Sequence, residues 1–179
     1  MRYDVITPPE SEPITLTEAK LHCAIDSDFT DDDDYISNLI TAARLWIESQ
    51  HHIAIGAQTI RLRDNCFPTI IRPPLVSVTS ITYYSGGVLT TWSSDDYIVI
   101  TGTPAEIYHT STPGHDSRPD AVTTTYVAGV TADERIKQAT GIMVQHWYEI
   151  REPVVMGSMQ KVPYNVDSLI AHLNWGYVS

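Results

Sequence analysis

The chain has 179 residues, a hydrophobic share of 42% and a formal net charge of −11, enough length to bury a core without disulfides or metals. An acidic surface repels nucleic-acid phosphate and anionic lipid, which argues against a high-affinity DNA or RNA binder and against membrane-surface attachment. No apolar run approaches the length of a membrane span, and the polar, proline-containing Met1–Pro13 does not read as a signal peptide, so a soluble product of a reducing cytoplasm is expected, with Cys23 and Cys66 as free thiols.

Residues 1–14 read as extended, because Pro8, Pro9 and Pro13 leave little backbone for a helix. Thr15-x-x-Glu18 fits a capping box, in which hydroxyl and carboxylate each satisfy a free amide, and opens a helix over Leu16–Ala24. The acidic loop from Asp26 to Asp34 leads into a second helix. There Ile36, Leu39/Ile40, Ala43 and Trp46/Ile47 recur at spacings of three and four and form one apolar face. This helix is expected to end near His51-His52, where imidazoles suit the negative end of the helix dipole, with Gly56 as a stop.

From Ala57 the period changes to two. Gln58–Arg63 alternates, Leu75–Tyr84 reads as a strand, and Ser85-Gly86-Gly87 is a hairpin signal. Further short strands are expected at Val88–Trp92, Tyr97–Ile100, Ala105–His109 and Ala121–Val127, with Thr112-Pro113-Gly114 as a loop between the last two. Helical periodicity returns at Ala132, where Ile136, Ala139/Thr140, Met143/Val144 and Trp147 share a face. After a break at Gly157, Val162-Pro163 opens a helix over Val166, Leu169 and Ile170. The expected fold is α+β, a mainly helical core of about four helices with a β-rich insertion between helices two and three. Its parts are residues 1–56 (N-terminal helical part), 57–130 (β-rich insertion) and 131–179 (C-terminal helical part and docking tail), one domain overall.

The residue patterns of reaction chemistry are missing. Asp26, Asp28 and Asp31–Asp34 resemble a calcium loop only in charge. Counting from Asp26, the sixth and twelfth positions are Asp31 and Ser37, where an EF-hand needs glycine and glutamate. The run is better explained as an acidic first turn favoured by the helix dipole. Glu48, His51 and His52 are weighed as metal ligands, Glu48 and His52 four apart on one helix face, but there is no HExxH spacing and no third ligand nearby. There is no GxSxG turn, no local nucleophile signature around either cysteine, and Gly86-Gly87 lacks the remainder of a phosphate loop. No catalytic residue, metal or cofactor is expected.

Four segments together resemble the head–tail connector, or adaptor, proteins of tailed bacteriophages. They are Leu16-Thr17-Glu18-Ala19-Lys20 ahead of Asp31–Asp34 and the Ile36–Trp46 helix; Pro74-Leu75-Val76-Ser77-Val78-Thr79-Ser80-Ile81 with Tyr83; Thr125-Tyr126-Val127-Ala128-Gly129; and His146-Trp147-Tyr148-Glu149-Ile150-Arg151-Glu152 with Val162-Pro163. Where family members often end in basic or proline-containing sequence, this chain has the aromatic Asn174-Trp175-Gly176-Tyr177-Val178-Ser179. The resemblance implies a non-enzymatic structural protein of the virion neck, assembled in the host cytoplasm. It implies a ring of copies, usually twelve, bound under the portal protein, extending the DNA channel and offering a platform to a head-closure or tail-completion protein.

On that reading Trp147, Tyr148, Trp175 and Tyr177 are the expected portal or subunit contacts, because aromatic side chains dominate interface energetics. Glu149 and Arg151 add ion pairs that set register. Asp31, Asp32, Asp33 and Asp34 are the expected channel-facing carboxylates, which would let a duplex slide rather than hold it; specific nucleic-acid binding is not expected. The alternatives are another neck or tail-completion structural role, and a soluble metal-dependent enzyme using the acidic and histidine residues.

Overall fold

The computed structural model describes residues 2–67, 70–101, 105–150 and 164–171. Contacts divide the chain into two compact units, residues 1–10 with 52–131 and residues 11–51 with 132–179. The first holds the strands and the second the helices. The fold is mixed α+β, as the change of period along the sequence implies.

In the first unit a five-stranded antiparallel sheet runs in the order β1-β2-β7-β3-β4. Its strands are β1 (Arg2–Thr7), β2 (Gln58–Asp64), β3 (Leu75–Ser85), β4 (Val88–Thr91) and β7 (Val122–Ala128). The extended N-terminal segment thus contributes an edge strand, paired with β2 from Arg2↔Arg63 to Thr7↔Thr59. A separate ribbon pairs β5 (Ile98–Ile100) with β6 (Glu106–Tyr108). Alternation sets the faces: Ile60 and Leu62 of β2 and Val122, Thr124, Tyr126 and Ala128 of β7 are buried, while the residues between them are partly exposed. This inner face joins Leu75, Ile81, Trp92 and Ile107 in one apolar core.

The β3–β4 hairpin turns through Gly86 and Gly87, both left-handed at φ 58° and 80°, the double positive φ that a tight two-residue hairpin turn requires. Their amides both donate to the carboxylate of Asp116 at 2.8 Å, so a residue thirty positions away fixes the turn.

The second unit packs α1 (Leu16–His22), α2 (Asp33–His51), α3 (Glu134–Glu149) and α4 (Tyr164–Ile170). The capping box is present: Thr15 Oγ1 accepts from the Glu18 amide at 3.2 Å, and Glu18 Oε2 accepts from the Thr15 amide at 2.7 Å. Helix α1 stops two residues short of the expected Ala24. Ala24 is left-handed at φ 54°, and the amides of Ala24 and Ile25 return to the carbonyls of Leu21 and Lys20. This is a Schellman closure with alanine where glycine is usual, so no glycine announced it. His52, also left-handed at φ 53°, ends α2 before Gly56 is reached.

The expected apolar faces form the helical core. Ile36, Ile40, Ala43 and Ile47 of α2 and Ile136, Ala139, Met143 and Val144 of α3 are buried, with Val166 and Ile170 of α4. Asp133 caps α3, accepting from the amides of Arg135 and Ile136 at 3.0 Å.

Candidate docking surface

The site is built where the start of α2 meets the end of α3. Lys20 of α1 is buried at 5% exposure. Its ammonium donates to the carbonyls of Ser27 (3.2 Å) and Phe29 (2.7 Å) and pairs with Asp33 at 2.6 Å. A cation taken out of water needs such partners. By collecting two carbonyls and a carboxylate, Lys20 fixes the path of the acidic loop into α2. A second tie comes from α3, where Tyr148 Oη donates to Asp32 Oδ2 at 2.6 Å. The rings of Tyr148 and Tyr35 lie 6.2 Å apart at a tilt of 44°, a distance suited to an aromatic pair.

The run of four aspartates therefore divides. Asp32 and Asp33 are partly buried and engaged by Tyr148 and Lys20, whereas Asp31 and Asp34 are exposed. Trp147 and Tyr148 are half-buried and Glu149 is exposed. Glu149 also accepts from Gln145 at 2.9 Å, and its charge acts with burial to push the Cys23 thiol above its ordinary pKa. Two groups read separately from the sequence, the acidic run and the aromatic end of α3, are thus brought together. Arg151, Trp175 and Tyr177 lie outside the described residues.

A buried charge network lies on the same unit. The Arg44 guanidinium bonds Glu12 through Nε (2.7 Å) and Nη2 (3.3 Å), and reaches Glu48 through Nη1 (3.3 Å). Thr41 Oγ1 adds a bond to Glu12 at 2.9 Å. Burial works to lower the Arg44 pKa, but the Glu12 bond and the two carboxylate charges outweigh it and hold it raised. Glu48, weighed from sequence as a metal ligand beside His52, is 1% exposed and pairs with Arg44 instead, and His52 lies past the last helical residue. The i, i+4 spacing of Arg44 and Glu48 is the signal that finds this pair. Among the described residues no three His, Cys, Asp or Glu side chains gather closely enough to hold a metal ion. No described helix is long and apolar enough to cross a membrane.

This arrangement sets carboxylates beside aromatic rings where α2 begins and α3 ends. No curated protein matches the chain in sequence. Solved structures match its fold along its whole length, among them the following three. The neck of an empty gene transfer agent (GTA) particle computed with C6 symmetry and the virion of the native GTA particle each contain a chain with a TM-score of 0.77 and 18% identity, covering 100% of this chain and 98% of theirs. A chain of the native GTA neck computed with C12 symmetry gives 0.73 and 17% over the same shares. In sequence, residues 13–85, from the approach to α1 through β3, match the family model for the phage gp6-like head-tail connector protein, the family that the chain resembles on its own residues.

Proposed function

We propose that this chain is a head–tail connector of a tailed phage or phage-like particle, a structural protein of the virion neck that works by assembly and not by catalysis. Copies pack side by side into a ring, twelve in the assembled state, beneath the portal protein. The ring extends the DNA channel and offers a platform to a head-closure or tail-completion protein. The observation that carries this reading is the coincidence of two likenesses: the connector-family match over residues 13–85 and the full-length fold likeness to chains of GTA particles, two of them from structures of the neck. The C6 and C12 symmetries belong to those necks and are compatible with a ring here.

On this reading the helical unit is the core of the connector and the strands from β2 to β7 are its insertion, although β1, from the N-terminal residues expected in the helical part, joins their sheet. Trp147, Tyr148 and Glu149 lie at the portal or subunit contact, with Arg151, Trp175 and Tyr177 following in the chain. Of the acidic run, Asp31 and Asp34 are the carboxylates with the exposure to line a channel. A negative wall holds no phosphates through counterion release and so lets a duplex pass.

The test is negative-stain imaging of the chain mixed with portal rings from the same genome, each component alone as control. A collar coaxial with the portal is the expected result. A chain that stays monomeric at high concentration and adds no collar would sink the connector reading. A pull-down that recovers tail proteins without portal would place the chain elsewhere in the neck or tail.

A further inference from the structure

The outer face of the sheet gathers arginines at one corner. On β1 and β2, Arg2 stands directly across from Arg63, and Asp4 directly across from Arg61. Paired residues share a face, and like charges placed opposite each other destabilise a sheet. Asp4 reaches across to Arg63 at 2.6 Å, and Asp120, held low chiefly by its Arg118 bond, also feels the Arg63 charge. Arg2 is exposed, and Arg61 and Arg63 are partly exposed. The next strand continues the face with hydroxyls, since Arg61 pairs with Thr125 and Arg63 with Thr123. In a chain with twice as many acidic as basic side chains, Arg2 and Arg61 add positive charge at this sheet corner beyond the Arg63 that Asp4 engages, and such concentrations are where function is to be sought.

A complementary surface exists on the helical unit. Between α1 and α2, Asp26, Asp28 and Phe29 are all exposed. Their loop is held in one shape, because buried Lys20 donates to the carbonyls of Ser27 and Phe29 and the Asp26 carboxylate accepts from the Asp28 amide at 3.0 Å. A loop held by such bonds pays less to order on binding.

We propose that the arginine corner of β1–β2 receives the Asp26–Phe29 loop of a second copy of this chain. Each copy then carries both halves of the contact. The interface is heterologous, and repetition of a heterologous contact generates rings when the rotation closes. The charge pairing steers and registers the neighbours, and repetition around the ring makes weak contacts sufficient. This inference rests on the connector reading and adds to it the surfaces by which neighbours meet.

The test is a charge swap in the full chain, scored as collar formation on portal rings. Arg61→Glu and Asp28→Lys are each expected to raise the concentration for half-maximal collar formation at least tenfold. The double variant is expected to return within about threefold of wild type. Circular dichroism and melting show that each variant is folded, and Arg61→Gln, which removes charge without reversing it, is expected to give an intermediate loss. Single reversals that leave the collar intact, or a double variant that adds the two losses instead of cancelling them, overturn the contact while leaving the connector reading in place. A wild-type chain that forms no collar overturns both. Duplex binding by wild type that vanishes in Arg61→Glu while the collar persists overturns the contact in favour of a nucleic-acid surface.

Discussion

Tyr148 and Asp32, 116 residues apart, are joined by a 2.6 Å hydrogen bond from the phenol to the carboxylate. The bond fastens the last turn of α3 to the approach of α2, so the aromatic end proposed for docking and the acidic run share one support. A hydrogen bond to a charged partner contributes about 1.5–3 kcal/mol. Partial exposure puts this one at the low end. Tyr148→Phe keeps the ring against Tyr35 and removes only the donor. Urea unfolding of the helical signal is expected to show a loss of about 1–2 kcal/mol. A change below about 0.3 kcal/mol would mean that the bond does not hold in solution.

Lys20 tests the loop directly. Lys20→Met preserves most of the volume and removes the ammonium that serves Ser27, Phe29 and Asp33. Two carbonyls and a carboxylate lose their cation, and breaking such a pair costs about 3–5 kcal/mol when buried, less where one partner is 30% exposed as Asp33 is. Amide exchange over residues 26–34 is expected to rise sharply, while the amides of the sheet unit keep their protection. Unchanged exchange in the loop would show that Lys20 does not organise it.

Much of this molecule is written in local patterns. The capping box at Thr15 and Glu18, the apolar faces of α2 and α3, the alternation along β2 and β7 and the glycines of the β3–β4 turn each depend on neighbours within a few residues, so the sequence displays them. The parts that escaped it depend on partners far away. Nothing near Lys20 marks it as buried; it is an ordinary helical lysine until the loop folds over it. Asp116 gives no hint that it will hold Gly86 and Gly87. The acidic run is visible at once, but its division into engaged Asp32 and Asp33 and exposed Asp31 and Asp34 needs Tyr148 and Lys20 in place. Ala24 shows the same limit in the backbone, because a left-handed alanine has no local signature.

That alanine supplies a stabilising change. At φ 54° its Cβ crowds the backbone, a conformation that costs an L-residue about 1–2 kcal/mol and glycine almost nothing. Glycine loses part of that gain through the greater freedom of its unfolded chain. Ala24→Gly is expected to stabilise the protein by about 0.5–1 kcal/mol, read as a higher denaturant midpoint at unchanged slope. A loss of stability would count against the Schellman closure at this helix end.

Glu18 sets a pH dependence. The Thr15 amide and hydroxyl bonds, more than the nearby Lys137 charge, hold its carboxyl below the ordinary value of 4.5. A depressed folded pKa stabilises the folded state above the unfolded value, and the benefit is lost as pH falls through the folded pKa. The side chain is 45% exposed, so solvent screening limits the effect to a few tenths of a kcal/mol. Stability measured from pH 6 down to pH 3 is expected to fall slightly less in Glu18→Gln than in wild type. Equal slopes would show that the capping carboxylate adds nothing beyond its neutral amide analogue.

Arg44 and Glu48 give the sharpest energetic test, because their cost and their benefit have opposite signs. Glu48 is almost fully buried, and Arg44 at 3.3 Å supplies one of its compensating charges. Arg44→Met leaves Glu48 buried without that charge and leaves Glu12 without its bidentate partner, an expected loss of about 3–5 kcal/mol. Glu48→Gln alone removes one acceptor charge from a guanidinium that still has Glu12, an expected loss of about 1 kcal/mol. In Arg44→Met/Glu48→Gln the carboxylate that lost the guanidinium charge is gone, so the double variant is expected to be more stable than Arg44→Met by about 1–2 kcal/mol. That recovery is the diagnostic, since two independent packing defects would add. A double variant no better than Arg44→Met would mean that Arg44 acts through its stem and its bonds to Glu12, with its charge on Glu48 contributing nothing.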